Sequence, residues 1–387
     1  MKCENFSISQ IEEILRADFS NASDIKLLWK GKESFQSIFE AVQNAKEFIC
    51  LVFYIFRNDE TGTSLANILK QKSKEGVQVY LLYDHFGSFK TPIQFWHELA
   101  DAGVQIKASR PFKWTRPGHY VHRDHRKLLI IDGEKAFTGG LNVANEYSGF
   151  HLRIKGRGWR DTGVMIKGAI VQDLFTHFEK SWRLWGGNSI PNNHSEIANN
   201  KNSQSVIAAI PVFVSSIRSR RRMRKLLYHS INNSTKSISL TTAYFIPSKR
   251  MLETLEGAVR RGVKVRLIVP DVSDVPVASY AGKASYARLL KAGIEIYAYQ
   301  GEILHAKTFL FDDCWSIIGS TNLDFQSLRY NDEGNVGIYD KSFGSEMAGV
   351  FEEDIKKAQK INLDEWKNRP FIEKFLETFC AMFRRRL

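Results

Sequence analysis

Apolar side chains recur at helical spacing over residues 8–16 and again over Ser34–Asn44, where Phe35, Ile38, Phe39 and Val42 share one face. Phe48–Phe56 (FICLVFYIF) is then unbroken, too short for a buried helix and rich in β-formers, so it predicts a strand covered on both faces. A helical stretch, Thr63–Lys74, leads into a second apolar strand ending at Asp84. Helix, strand, helix, strand is the grammar of an α/β fold.

The grammar returns in the second half of the chain. A helical stretch, Met251–Gly262, precedes the strand sequence GVKVRLIVPD, which parallels GVQVYLLYD; Gly76 and Gly262 stand 186 positions apart. That period is too long for a solenoid and indicates two similar half-chain units. Between them, Gly186–Ser205 is rich in Asn, Ser and Gly, as a linker is. The expected organisation is a first domain over 1–187, a linker over 188–204, a second domain over 205–363 and a C-terminal helix over 364–387.

Composition narrows the function. With 387 residues, 43% hydrophobic and 25% charged, the chain has enough material for real cores, which excludes disorder, collagen and coiled coil as overall descriptions. Lys plus Arg outnumber Asp plus Glu by 55 to 42, a net charge of +13, so an anionic partner is expected: nucleic acid, anionic lipid or a phosphate substrate. The four cysteines do not make a disulfide framework, and Cys50 and Cys314 read as small core residues. No Cys/His cluster has zinc spacing. The N-terminus lacks a signal-peptide pattern, and the longest apolar run has nine residues where a spanning helix needs about 20. An intracellular protein, soluble or resting on a membrane, is expected.

The chemistry lies in a duplicated motif. His125-Arg-Lys127 followed by Asp132 is H-x-K-x4-D, and His305-Ala-Lys307 followed by Asp312 repeats it 180 positions later. Each is trailed at the same offset by a Gly/Asn signature, Gly139-Gly140-Leu-Asn142 and Gly319-Ser320-Thr-Asn322. The apolar residues after each lysine predict a strand, so His and Lys project from one face and each Asp falls on the other, where it anchors structure. If the halves pair about a pseudo-twofold axis, two imidazoles and two ammonium groups meet in one cleft. That set suits a phosphodiester: Lys127 and Lys307 neutralise the non-bridging oxygens, Asn142 and Asn322 add hydrogen bonds, one His attacks phosphorus and the other protonates the leaving oxygen. No metal or other cofactor is needed. Bottom-up, the two histidines cannot be told apart.

With these motifs the sequence resembles the phospholipase D superfamily, whose signature is a pair of HKD motifs, and more closely its bacterial cardiolipin synthase branch in the short form without N-terminal membrane spans. The resemblance runs from about Leu28 to Leu387 and includes Tyr54-Ile-Phe56, Leu81–Asp84, Trp159-Arg-Asp161-Thr, Ala243–Pro247, Gly319–Asp324 and Asn331–Asn335. It implies two similar α-β-α sandwich domains with mixed sheets and the active site between them. It implies that the HKD residues, aspartates included, form the catalytic set. It also implies that His125 is the nucleophile, giving a phosphatidyl-histidine from phosphatidylglycerol, and that a second phosphatidylglycerol accepts the group to yield cardiolipin. Glu333 lies 28 residues after His305, where the family's second half carries its His-orienting acid, and Asp161 is the first-half counterpart. Both are expected at the substrate site, with Asn331 and Ser327 beside them.

A lipid enzyme without a spanning helix needs another attachment. Phe371, Ile372, Phe375, Leu376, Phe379, Met382 and Phe383 follow helical spacing and end in a run of arginines, which suits the interface of an anionic bilayer. Phe112 and Trp114, interleaved with cations just before the first motif, form a second candidate membrane contact, and Arg218–Lys225 a further basic patch. The expected partners are phosphatidylglycerol, cardiolipin and the cytoplasmic face of the cell membrane, with no nucleic acid. The alternative is a hydrolytic phospholipase D, phosphodiesterase or nuclease of the same superfamily; phosphatidylethanolamine is an open choice of second lipid.

Overall fold

The computed structural model describes residues 5–112, 122–149, 158–191 and 206–384. In the first half the elements run α1 (Ile8–Leu15), β1 (Ser20–Leu28), α2 (Gly31–Gln43), β2 (Phe48–Phe53), α3 (Glu60–Lys74), β3 (Gln78–Asp84), α4 (Ile93–Asp101), β4 (Gln105–Ser109), β5 (Lys127–Ile131), β6 (Lys135–Gly139), α5 (Asn145–Ser148), β7 (Trp159–Arg160), β8 (Gly163–Gly168) and α6 (Ile170–Leu184). In the second they run β9 (Ile207–Val214), α7 (Ile217–Asn233), β10 (Ser237–Thr241), α8 (Lys249–Arg260), β11 (Lys264–Pro270), α9 (Pro276–Lys283), α10 (Tyr286–Lys291), β12 (Glu295–Tyr299), β13 (Ile303–Leu304), β14 (Thr308–Phe311), β15 (Trp315–Gly319), α11 (Phe325–Arg329), β16 (Glu333–Tyr339), α12 (Lys341–Lys356), β17 (Ala358–Lys360), α13 (Leu363–Lys367) and α14 (Phe371–Met382).

The two halves share one mixed sheet. At its centre β9 pairs antiparallel with both β1 and β16. Outward from β1 the order is β8, β6, β5, β2, β3, β4; outward from β9 it is β16, β15, β14, β10, β11, β12, closed by β17. Equivalent strands therefore sit at equivalent depths on the two sides, the pattern of a pseudo-twofold axis through the β1–β9 pair. Helices cover both faces: Ile38, Leu65 and Phe95 of α2, α3 and α4 pack on one side of the first half. On the opposite side a core shared by both halves joins Phe175 and Phe178 of α6 to Phe343 and Met347 of α12. This is the α-β-α sandwich expected, with its two sheets fused into one.

Three local results differ from the sequence reading. The apolar run that begins at Phe48 leaves the ladder after Phe53, because the next amides find side-chain acceptors: Ile55 N–H bonds to Asn142 Oδ1 and Phe56 N–H to Ser88 Oγ, each at 3.0 Å. The helix expected from Thr63 starts at Glu60, since Asp59 caps it by accepting from Gly62 N–H. And α1, assigned to the first half by its place in the chain, buries Ile11, Ile14 and Leu15 against Met223 and Leu226 of α7, within the second half's core. Cys50 and Cys314 are both buried, as expected of small core residues; Cys50 is a free thiol and Cys314 is disulfide-bonded. The expected linker falls largely on 192–205 and Trp114 on 113–121, both outside the described residues.

Candidate active site

Two short parallel pairings build the centre. Asp124 bridges Asp332, and His125 N–H donates to the Asp332 carbonyl at 2.8 Å, which sets His125 beside Glu333. In the other half β13 pairs with β7, and His305 N–H donates to the Arg160 carbonyl at 2.8 Å, which sets His305 beside Asp161. Each imidazole thus receives its acid from the opposite half: Nδ1 of His125 lies 3.0 Å from Glu333 Oε2 and Nδ1 of His305 lies 2.6 Å from Asp161 Oδ2. The within-half pairing suggested by sequence spacing is exchanged.

These contacts settle the tautomers. A carboxylate only accepts, so each Nδ1 carries the proton and each Nε2 keeps its lone pair. Lys307 Nζ stands 2.7 Å from the same Nδ1 of His305, but that nitrogen cannot both donate to Asp161 and accept from an ammonium; Lys307 donates instead to the His305 carbonyl. Lys127 Nζ likewise donates to the His125 carbonyl at 2.6 Å. Aromatic rings fix the imidazoles laterally: Tyr54 meets His125 edge-on at 4.7 Å, and Trp159 and Tyr147 flank His305 at 4.7 and 5.5 Å.

Burial dominates the electrostatics. Desolvation, helped by the neighbouring lysine, lowers the pKa of both histidines, that of His305 to about 4, so the imidazoles are neutral in the empty cleft. Desolvation also brings Lys127 down to about 7 and Lys307 to about 8. Burial alone pushes Asp161 and Glu333 up, but the attraction of His305 and Lys307 for the first, and of His125 and Lys127 for the second, outweighs it and leaves both carboxyls below their usual range.

His125 and His305 line a single cavity of about 860 Å³ together with Tyr54, Asn142, Tyr147, Trp159, Tyr244, Asn322, Ser327 and Asn331. Asn142 Oδ1 holds Ile55 N–H while its Nδ2 donates to Tyr147 Oη; Asn322 Oδ1 accepts from Tyr244 N–H. Two buried acceptors, Asn331 Oδ1 and Glu333 Oε1, have no partner among the described residues. The motif aspartates, expected in the catalytic set through the family's HKD signature, lie elsewhere. Asp132 and Asp312 turn out of their strands at positive φ (52° and 51°) and accept backbone amides: Lys46, Glu47 and Phe48 for the first, Thr235, Lys236 and Ser237 for the second. They clamp the start of β2 and β10 and touch no part of the cleft. Among the described residues no group of His, Cys, Asp and Glu is arranged to hold a metal ion.

The described aromatic residues read as membrane contacts fall on the surface. Phe112 is exposed. On α14 the buried residues are Glu377 and Cys380, while Phe371, Ile372, Phe375, Phe379, Met382 and Phe383 are exposed. Through Cys380 the buried face of α14 packs on Ala278 and Ala281 of α9, the helix that contributes Ala278 to the cavity lining. No helix among the described residues is long and apolar enough to cross a membrane.

Comparison with known proteins agrees with this geometry. The fold is that of a phosphatidylserine synthase of Haemophilus influenzae, with a TM-score of 0.76 at 16% identity over 98% of this chain and 100% of that one. A cardiolipin synthase of Alkalihalophilus pseudofirmus is 33% identical over 361 residues, 93% of this chain and 71% of that protein. The major cardiolipin synthase ClsA of Bacillus subtilis is 34% identical over 361 residues, 92% and 73% of the two chains. The family described as cardiolipin synthase, PLD-like domain, matches residues 38–182 and 227–355, one segment in each half and each containing one complete HKD motif. With both motifs intact and their histidines facing one cavity, the chain belongs to the cardiolipin synthase family of the phospholipase D superfamily.

Proposed function

We propose that the protein is a cardiolipin synthase that transfers a phosphatidyl group from one phosphatidylglycerol to another at the cytoplasmic face of the membrane. The observation that carries this reading is the pair of imidazoles lining one cavity, each oriented by a carboxylate of the opposite half so that its Nε2 is free.

His125 Nε2 attacks phosphorus, forming a P–N bond as the bond to the headgroup glycerol breaks. The departing oxygen takes a proton from His305. Both histidines are neutral in the empty cleft, so the general acid must acquire its proton with the substrate; the phosphodiester's negative charge raises the imidazole pKa on arrival. In the second step His305 removes the proton from a hydroxyl of the second phosphatidylglycerol, the new P–O bond forms and the P–N bond breaks. Lys127 and Lys307 offset the charge that accumulates on the non-bridging oxygens, and Asn142, Asn322 and Asn331 bound the space in which phosphate and glycerol sit. The chemistry calls for no metal or other cofactor.

Attachment is peripheral in this reading. The exposed aromatic stripe of α14 dips into the interfacial region of an anionic bilayer, with Phe112 as a secondary contact, and the chain's net charge of +13 favours that surface.

Incubation with phosphatidylglycerol vesicles and resolution of the lipids tests the assignment. Cardiolipin with free glycerol is the expected result. Phosphatidic acid alone would make the enzyme a hydrolase, and plasmid cleavage without lipid turnover a nuclease. A trapped phospho-adduct is expected on His125; its recovery on His305 would reverse the two roles.

A further inference from the structure

The inner part of the cleft obeys the twofold, but its wall does not. His125 matches His305, Asn142 matches Asn322, and the acids Asp161 and Glu333 match across the halves. Five further charged side chains line the same cavity: Arg57, Lys90 and Arg123 from the first half, Asp274 and Asp324 from the second.

None of the five has a like-charged counterpart. Arg57 N–H bonds to the Val143 carbonyl as Ile246 N–H bonds to the Leu323 carbonyl, so the second half places Ile246 where the first has Arg57. Arg123 stands two residues before His125, and Ile303 two before His305. Asp324 caps α11 where Ala144 precedes α5. The loop that follows β3 carries Lys90, whereas the loop that follows the equivalent β11, residues 271–275, contains no cation and carries Asp274. Apart from the histidines, the first half therefore contributes only cations to the charged lining and the second half only acids.

The reacting phosphate accounts for Lys127 and Lys307 but for none of these. Hydrolysis brings one phosphate into the cleft. Transfer between two phosphatidylglycerols brings a second, on the acceptor, which stays intact one glycerol bridge away. From the unmatched cations we infer that Arg57, Lys90 and Arg123 form a subsite for this second phosphodiester and select an anionic lipid acceptor over water or a neutral alcohol. Arg57 lines the cavity with one outer nitrogen paired to Glu146 at 3.3 Å, and its buried Nε has no partner among the described residues. Lys90 is exposed at the wall with its ammonium 5.9 Å from the Phe89 ring centre, and Arg123 is stacked 3.9 Å over Phe86. The second half offers carboxyl acceptors to glycerol hydroxyls: burial raises the pKa of the Asp324 carboxyl to about 7, and Tyr244 Oη already donates to both oxygens of Asp274, at 2.9 and 2.8 Å.

The inference rests on the synthase reading, and a competition assay separates the two. Phosphatidylglycerol vesicles are incubated with ethanol present, and the ratio of cardiolipin to phosphatidylethanol is measured for the wild type, Lys90→Ala, Lys90→Glu and Arg57→Gln. The ratio is expected to fall about tenfold in Lys90→Ala and Arg57→Gln, and further in Lys90→Glu. An unchanged ratio, including a parallel fall of both products, would overturn the subsite, because the cations would then serve the donor or the membrane surface. Wild-type enzyme that makes phosphatidylethanol or phosphatidic acid but no cardiolipin would overturn the synthase reading itself, and this inference with it.

Discussion

Asp161 lies 2.6 Å from Nδ1 of His305, although the two residues sit in different halves of the duplicated chain. Glu333 and His125 repeat the relationship in the opposite sense at 3.0 Å. Neither imidazole has its tautomer held until both halves are in place, so the active site is a property of the pair.

Removing either acid while keeping its shape leaves the ring in place but frees the wrong tautomer. Asp161→Asn and Glu333→Gln are each expected to lower kcat by about 10²- to 10⁴-fold, with KM for phosphatidylglycerol much less affected. A steady-state comparison on mixed micelles checks this; a loss expressed in KM alone would contradict the orienting role.

Lys127 and Lys307 titrate near 7 and 8 in the empty cleft because burial disfavours their charged forms. A bound phosphodiester raises both. Well below pH 7 both ammonium groups are charged; above about 7 Lys127, and above about 8 Lys307, must take up a proton for the anion to bind well. Affinity for glycerophosphoglycerol, whose own charge is constant over this range, is therefore expected to weaken as pH rises from 6.5 to 9, by up to about tenfold per unit for each proton taken up. Calorimetry in buffers of different ionisation enthalpy reads the protons directly. A pH-independent affinity would show that the lysines do not sense the phosphate.

Arg160 of β7 donates through Nε and Nη2 to Asp354 of α12, at 2.9 and 2.8 Å, in a nearly fully buried pair that ties the two halves together. Asp354→Ala removes the counter-charge and leaves Nε and Nη2 of the buried guanidinium unpaired, with Nη1 still held by the Asp161 carbonyl and the Thr162 hydroxyl, and is expected to lower unfolding stability by about 3 kcal/mol. Denaturant unfolding measures it. A loss below about 1 kcal/mol would mean that water replaces the carboxylate.

The exposed stripe of α14 is expected to control membrane association. Phe375→Asp together with Phe379→Asp should weaken sedimentation with anionic vesicles at least tenfold, since each change replaces a ring worth about 2–3 kcal/mol of apolar transfer with a charge. Turnover of short-chain substrate dispersed below its micellar concentration should persist. Equal vesicle binding by the variant would refute the anchor.

The duplicated motifs and the α/β grammar were legible in the sequence because they are local: apolar runs such as Phe48–Phe53 and Lys127–Ile131 specify strands by themselves, and the two HKD motifs declare their equivalence by spacing. What could not be read was decided by contacts between distant segments. Asp161 and Glu333 stand at the right offsets but exchange partners, because β7 pairs with β13 and Asp332 with Asp124 across the twofold. Strand alternation gave the right side for Asp132 and Asp312, yet the cause is a left-handed residue just past each strand end. The chain order of α1 gave no sign that Ile11 and Ile14 belong to the core of the far half. Nor did composition show that Arg57, Lys90 and Arg123 line one cavity.

The central β1–β9 pairing has a mechanical consequence. Among the described residues the two halves are joined as strands of one sheet, with backbone hydrogen bonds running from one half into the other through β1 and β9. On the synthase reading, two double-tailed lipids and a four-tailed product would have to pass a cleft whose two walls belong to one sheet. Turnover would then be expected to follow how readily the tails move in and out of the neighbouring bilayer, and so to rise with membrane fluidity.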